Sequence, residues 1–166
     1  MKSLYLMRHA KSSWENGHIP DFERPLNDRG LQNAPFMGSV ISKLIKTPQV
    51  IISSPAKRAI TTAEIISEFL HFDPKKIIQD ERIYHAVVSD IMRIIYSIND
   101  DIDSIMLFGH NPTFTLLSNY LSDKHIENMP TSGFVHIDFN LNSWKEIEGN
   151  TGKLILFEYP KKYLNN

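Results

Sequence analysis

The chain has no cysteine among its 166 residues. That excludes disulfides, thiolate metal sites and a cysteine nucleophile for phosphate-ester hydrolysis. It also makes a reducing cytoplasm the simplest expected location. Long apolar runs are missing too. Only four consecutive apolar residues, 4–7, precede Arg8. That is too short for the core of a signal peptide, and no run approaches the length of a membrane span. Nor is there an excess of positive charge: 18 Lys and Arg stand against 19 Asp and Glu, for a net charge of -1. A general binder of nucleic acid or of a membrane surface needs a clear basic excess, so neither partner is expected. Net charge says nothing about distribution, and a local basic pocket stays compatible with it. No internal repeat, low-complexity stretch or Gly- or Ser-rich linker divides the chain. Its length suits one domain, 1–166, and its 42% hydrophobic residues suffice for a core.

What is present is an alternation of strands and helices. Residues 4–7 predict a short buried strand. Residues 12–27 lack periodicity and hold two prolines, which predicts a long loop; loops of that length are usually functional. A helix capped by Asn27 follows, with Pro35 inside it, so a kink or a late start is expected there. Residues 50–52 form a second strand. Ser54 as N-cap and Pro55 at the first helical position then predict a helix start. Ala59, Ala63, Ile66 and Leu70 recur at helical spacing and mark its buried face. Residues 77–78 suggest a third strand, 87–98 a helix and 104–108 a fourth strand. Asn111-Pro112 repeats the cap-then-proline signal before a helix towards Leu121. Residues 134–139 and 153–158 suggest two late strands paired as a hairpin. This order predicts an α/β fold, a three-layer α/β/α sandwich around a mostly parallel sheet.

In such sheets reactive residues gather just past the carboxyl ends of the strands. Three places qualify: Arg8-His9, Ser53-Ser54 through Arg58, and Gly109-His110. Two histidines and two arginines there make a coherent set for phosphoryl transfer. A neutral imidazole is a competent nucleophile near pH 7. Arginine stays cationic and grips two phosphoryl oxygens with its planar fork. His9 is thus the expected nucleophile, with a phosphohistidine intermediate that water hydrolyses. Arg8 and Arg58 are the expected clamp. His110, if protonated, would donate a hydrogen bond and a charge to an equatorial oxygen, beside the positive end of the helix that follows it.

Several segments then match one family in order and spacing. Leu6-Met7-Arg8-His9-Ala10 resembles the Arg-His signature of the histidine phosphatase superfamily, with Ala10 where Gly is usual. Arg24-Pro25-Leu26-Asn27-Asp28-Arg29-Gly30 resembles its Arg-Pro-Leu-Thr-x-x-Gly segment, with Asn27 for Thr. Ser53-Ser54-Pro55-Ala56-Lys57-Arg58-Ala59-Ile60-Thr61-Thr62 and Gly109-His110-Asn111-Pro112 resemble its Ser-Ser-Pro-x-x-Arg-Ala-x-x-Thr and Gly-His-x-Pro segments. Thr131-Ser132-Gly133 resembles a late Thr-Ser-Gly element. The chain is most similar to the short, SixA-like phosphohistidine phosphatase branch. This resemblance implies the phosphoglycerate mutase-like fold, the same roles for Arg8, His9, Arg58 and His110, and neither a metal nor an organic cofactor.

An alkyl phosphate ester needs a general acid for its departing oxygen. Glu81 is the first candidate proton donor and Asp21 the second. A phosphohistidine reduces that need, because its leaving imidazole can already carry a proton on the other nitrogen. A short chain also leaves the pocket open to a protein. The expected substrate is therefore a phosphorylated protein. A small phosphate ester, handled by a phosphomonoesterase or mutase, is the alternative within enzymes. A phosphate-dependent binding module without turnover is the alternative outside them. His18, His71, His85, His125 and His136 lack metal-like spacing, with His85 the least settled because it follows Glu81 closely.

Overall fold

The structure, a computed structural model, describes residues 1–164. Its centre is one six-stranded sheet: β1 (Lys2–Arg8), β2 (Val50–Ser53), β3 (Ile78–Gln79), β4 (Ser104–Gly109), β5 (Phe134–Phe139) and β6 (Gly152–Glu158). They lie in the order β3-β2-β4-β1-β5-β6. The first four strands of that order run parallel, while β5 is antiparallel to β1 and to β6. The helices are α1 (Asp28–Ser42), α2 (Lys57–Phe69), α3 (Val88–Tyr96), α4 (Thr113–Leu121) and α5 (Pro160–Tyr163).

Both faces of the sheet are covered, because successive strand residues point to opposite sides. Leu4 and Leu6 of β1 join Ile105 and Leu107 of β4 against Ile91, Ile95, Phe114 and Leu117 of α3 and α4. Tyr5 and Met7 join Met106 and Phe108 against Met37 and Ile41 of α1 and Ala63 and Ile66 of α2. Each such buried side chain contributes roughly 1.5–3 kcal/mol. The predicted stripe Ala59, Ala63, Ile66 and Leu70 is buried throughout.

The register sets the site. Arg8 lies opposite Gly109, and Ser53 opposite Phe108, so three strands end level with one another. The backbone continues these ladders past the strand ends: His9 N–H donates to Gly109 and Ser54 N–H to Phe108. Arg8 N–H in turn donates to Gly133. The long first loop is pinned back by a bridge between Ser12 and Leu26 and by Asn27 N–H donating to Lys11.

Of three predicted helix starts, one is kept and two differ from the structure. The helix after Asn27 begins on time at Asp28, and Asn27 accepts from Gly30 N–H as its cap. It then runs through Pro35, so there is no late start. Its first turn is fixed from outside, because Gly30 abuts Lys11 so closely that a Cβ would lie 2.2 Å from the Lys11 carbonyl oxygen. Ser54 and Pro55 do not cap and open α2, which begins at Lys57 after Ala56. Ser54 Oγ is instead committed to Ala56 N–H and to His110. Likewise α4 begins at Thr113 after Pro112. The Asn111 amide nitrogen donates to Asn128 and Met129, while its oxygen accepts from Thr115. Serine and asparagine thus each join a local backbone N–H to a tertiary partner.

Candidate active site

His9 follows directly on β1 and is buried. Its Nδ1 lies 2.7 Å from the Ala10 carbonyl oxygen. A carbonyl only accepts, so Nδ1 carries the proton and Nε2 keeps its lone pair. The backbone is held on both sides, by Gly109 as above and by Ser132 N–H donating to the His9 carbonyl at 3.1 Å. Burial pulls the imidazole pKa down; the Ala10 carbonyl pushes it back up. The guanidiniums of Arg58, Arg8 and Arg24 lower it further, to about 4. His9 is therefore neutral near pH 7.

Arg8 Nη1 donates to the Met129 carbonyl at 3.0 Å. Burial lowers the Arg8 pKa without making it neutral near pH 7. Arg58, the second residue of α2, is 6% exposed. Both guanidiniums keep a buried Nε–H that finds no acceptor among the described residues. Buried donors are rarely left so, and an oxyanion is the acceptor such a pair would suit.

Arg58 is oriented by Asp21 of the first loop. Asp21 also accepts from Arg24 Nε at 3.0 Å and from the Tyr84 hydroxyl at 2.6 Å. Burial pushes the Asp21 carboxyl up, but the hydrogen bonds from Tyr84, Arg24 and Arg58 outweigh it and hold it well below the usual carboxylate range. Arg24 is further held by Ser12 Oγ at 2.7 Å and lies 3.5 Å from the centre of the Trp14 ring. Thr62 ties helix to strand end: its hydroxyl donates to the Arg58 carbonyl at 2.7 Å and accepts from Ala10 N–H at 3.0 Å.

His110 faces His9 across the site, with ring centres 5.2 Å apart. Its Nε2 is 2.8 Å from Ser54 Oγ. Burial, then the neighbouring His9 and Arg58, bring its pKa down to about 3. His110 is therefore neutral in the free site, where the protonation on which its expected role depends is absent. An incoming phosphoryl group would reverse the balance, since a nearby anion favours the charged imidazole.

These groups share one cavity of about 520 Å³, a size typical of small-ligand sites. Four cations line it, Arg8, Lys11, Arg24 and Arg58, against one carboxylate, Asp21. The lining includes Pro112, Thr113 and Phe114 at the amino end of α4, which adds partial positive charge. Arg8, His9, Arg58 and His110 are thus brought together as expected from their strand ends. Glu81 is not: it lies in a short 3-10 turn (Glu81–Ile83), exposed and outside the cavity lining. Asp21 is inside but is committed as an acceptor to three donors. His85 lines the rim. Among the described residues no cluster of three or more His, Asp or Glu could hold a metal ion, and no helix is long and apolar enough to cross a membrane. Sequence reading missed the joint role of Asp21, Arg24, Tyr84, Ser54 and Thr62. Thr62 and Arg24 stood in quoted segments, but no local pattern signals which distant partner a side chain meets.

Comparison with known proteins places this site in a family. The sequence model of the histidine phosphatase superfamily (branch 1) matches residues 4–85. An uncharacterised chloroplastic protein of Arabidopsis thaliana is 30% identical over 87% of this chain and 70% of that protein. An uncharacterised protein of Mycobacterium tuberculosis is 27% identical over 93% of this chain and its own full length. Among solved structures, a candidate phosphohistidine phosphatase SixA of Agrobacterium tumefaciens superposes with a TM-score of 0.78 at 26% identity, covering 96% of this chain and 98% of that one. The protein histidine phosphatase SixA complexed with tungstate gives 0.82 over 98% and 99% of the two chains. A mycobacterial glucosyl-3-phosphoglycerate phosphatase with VO3 gives 0.73 over 96% and 100%. At 18% and 13% identity, these last two bear on the phosphoglycerate mutase-like α/β fold alone. With the Arg8-His9 strand end, the paired arginines and the facing His110 on that fold, the chain belongs to the histidine phosphatase superfamily, in its SixA-like branch, and is a phosphatase.

Proposed function

We propose that the protein removes phosphoryl groups from phosphohistidine on a protein, by way of a covalent intermediate on His9. The observation that carries this reading is a pairing: a neutral, correctly tautomerised His9 lies in a cationic cavity that holds no free carboxylic acid. His9 Nε2 attacks phosphorus as the bond to the leaving group breaks. Arg8 and Arg58 bind the equatorial oxygens, whose charge persists through the reaction. His110, neutral beforehand, gains affinity for a proton as that charge arrives and then donates to one oxygen. Water hydrolyses the phosphohistidine in the second step. With Glu81 outside and Asp21 held as a carboxylate, no carboxylic acid is placed to protonate a departing alkoxide, whereas an imidazole departs with less assistance.

A second reading, a phosphatase for small phosphate esters, is supported by a cavity volume that suits a small ligand. The two separate in kcat/KM on a phosphohistidine protein against sugar phosphates. The first reading expects a strong preference for the phosphohistidine; a preference for the sugar esters overturns it. His9→Ala should abolish both turnover and the trapped phosphoenzyme. A protein that binds phosphate equally well but never forms that intermediate would be a binding module instead.

A further inference from the structure

His85 is exposed, yet it lines the same cavity as His9, Arg58 and His110. Its backbone is left-handed, with φ at 57°. That conformation is unfavourable for a residue with a side chain, and such residues concentrate at functional sites. The ring packs against Tyr84 at a 40° tilt, with centres 4.0 Å apart. Tyr84 in turn donates to Asp21, which holds Arg58. The imidazole therefore rides on the framework that orients the phosphate-binding guanidinium. Its ring nitrogens have no hydrogen-bond partner among the described residues.

We propose that His85 exchanges the proton of the leaving group. This rests on His9 being the nucleophile. Other groups at the site are committed: the Tyr84 hydroxyl donates to Asp21, Asp21 accepts from three donors, and Glu81 stands outside. Imidazole both gives and takes protons near neutral pH. In the first step the His9 Nε2–P bond forms and the bond from phosphorus to the leaving atom breaks. The electron pair goes to that atom. The His85 imidazolium gives its proton to the oxygen of an ester, or to the distal ring nitrogen of a phosphohistidine. In the second step water forms the new O–P bond, the His9–P bond breaks, and neutral His85 takes the proton of that water. One proton is given and one taken per turnover.

The test follows phosphoenzyme formation in single turnovers of the whole protein with aryl phosphates of decreasing phenol acidity. His85→Asn tolerates the left-handed backbone but cannot carry a proton. His85→Gly relieves the backbone and leaves room for added imidazole. With p-nitrophenyl phosphate, whose leaving group needs no proton, both variants should stay within about threefold of wild type. With phenyl phosphate they should fall about 100-fold, the size of a lost general acid, and added imidazole should restore the glycine variant. Equal losses on both esters, no loss on phenyl phosphate, or no rescue overturns the proposal. Because only esters are used, a wild-type enzyme that shows no preference for phosphohistidine leaves this inference standing. Absence of a phosphoenzyme on His9 would instead remove the reading beneath it.

Discussion

Arg58 and Asp21 are joined at two points. Arg58 Nη1 donates to the backbone carbonyl of Asp21 at 2.7 Å and Nη2 to its carboxylate at 3.0 Å. A loop 37 residues earlier in the chain thereby aims an arginine of α2. The main-chain half of this contact survives any change of side chain, and the carboxylate half does not.

Asp21→Asn should therefore misalign Arg58, Arg24 and Tyr84 without unfolding the protein. We expect kcat/KM to fall about 10- to 100-fold, the scale of a misplaced binding group. The stability loss should be only about 1 kcal/mol, because the carboxylate is 41% exposed and its ion pairs are screened. The folded carboxyl is held below its unfolded value of about 3.9. Its contribution is thus complete above about pH 4 and is lost as the pH falls further. Thermal unfolding of both proteins should show a Tm gap that is constant down to about pH 4 and closes below it. A gap that closes between pH 7 and 5 would contradict the network.

His9 and His110 place a different signature on acid stability. Their folded values are about 4 and about 3, against about 6.5 in an unfolded chain. Below about pH 6.5 the unfolded chain takes up protons that the folded one refuses. Stability is full above that pH and is lost as the pH falls through the folded values, by up to about 1.4 kcal/mol per pH unit for each group. His110→Phe should flatten the fall in Tm between pH 6.5 and 4; an unchanged slope refutes the assignment. In a histidine NMR titration His9 should be the Nδ1–H tautomer at pH 7, with a midpoint near 4. Added inorganic phosphate should move the His110 midpoint upward.

Thr62→Val keeps the shape of a fully buried side chain and removes the acceptor of Ala10 N–H. A buried donor left without a partner costs roughly 1–3 kcal/mol. We expect Tm to drop accordingly and kcat/KM to fall about tenfold, since Ala10 is also the acceptor that sets the His9 tautomer. Thr62→Ser should keep both functions. Equal behaviour of the valine and serine variants would mean that the hydroxyl is dispensable.

Gly30→Ala tests the packing of the first loop. The new Cβ would meet the backbone oxygen of Lys11, which cannot swing aside as a side chain could. The cost should be about 1–3 kcal/mol, with reduced kcat/KM because the loop beyond His9 must shift. Gly17→Ala, which meets nothing within 4 Å, is the matched control and should be near neutral.

The parts of this fold that could be read from the sequence are those set by local chemistry. The apolar run before Arg8, the spacing from Ala59 to Leu70 and the late paired strands all follow from periodicity, and their strand ends locate His9, Arg58 and His110. Ser54 and Asn111 were misread for a single reason. Each has the side chain of a helix cap, but each is also held by a partner from another segment, His110 for Ser54 and the Asn128 side chain and Met129 carbonyl for Asn111. Asp21 ranked behind Glu81 on the same ground. Glu81 is the nearer carboxylate to the Tyr84-His85 turn in sequence, whereas Asp21 reaches Tyr84 across 63 residues. Periodicity carries no information about such long-range encounters.

The cavity lining carries a formal charge of +3, from four cations and one carboxylate, in a chain whose total is -1. The rest of the chain therefore carries a net charge of -4. Positive charge is concentrated in the cleft, against a negative balance elsewhere. A phosphorylated ligand is drawn towards that cleft. Capture should be fast at low ionic strength and slow as salt screens the field, while the chemical step, inside the cleft, is far less affected.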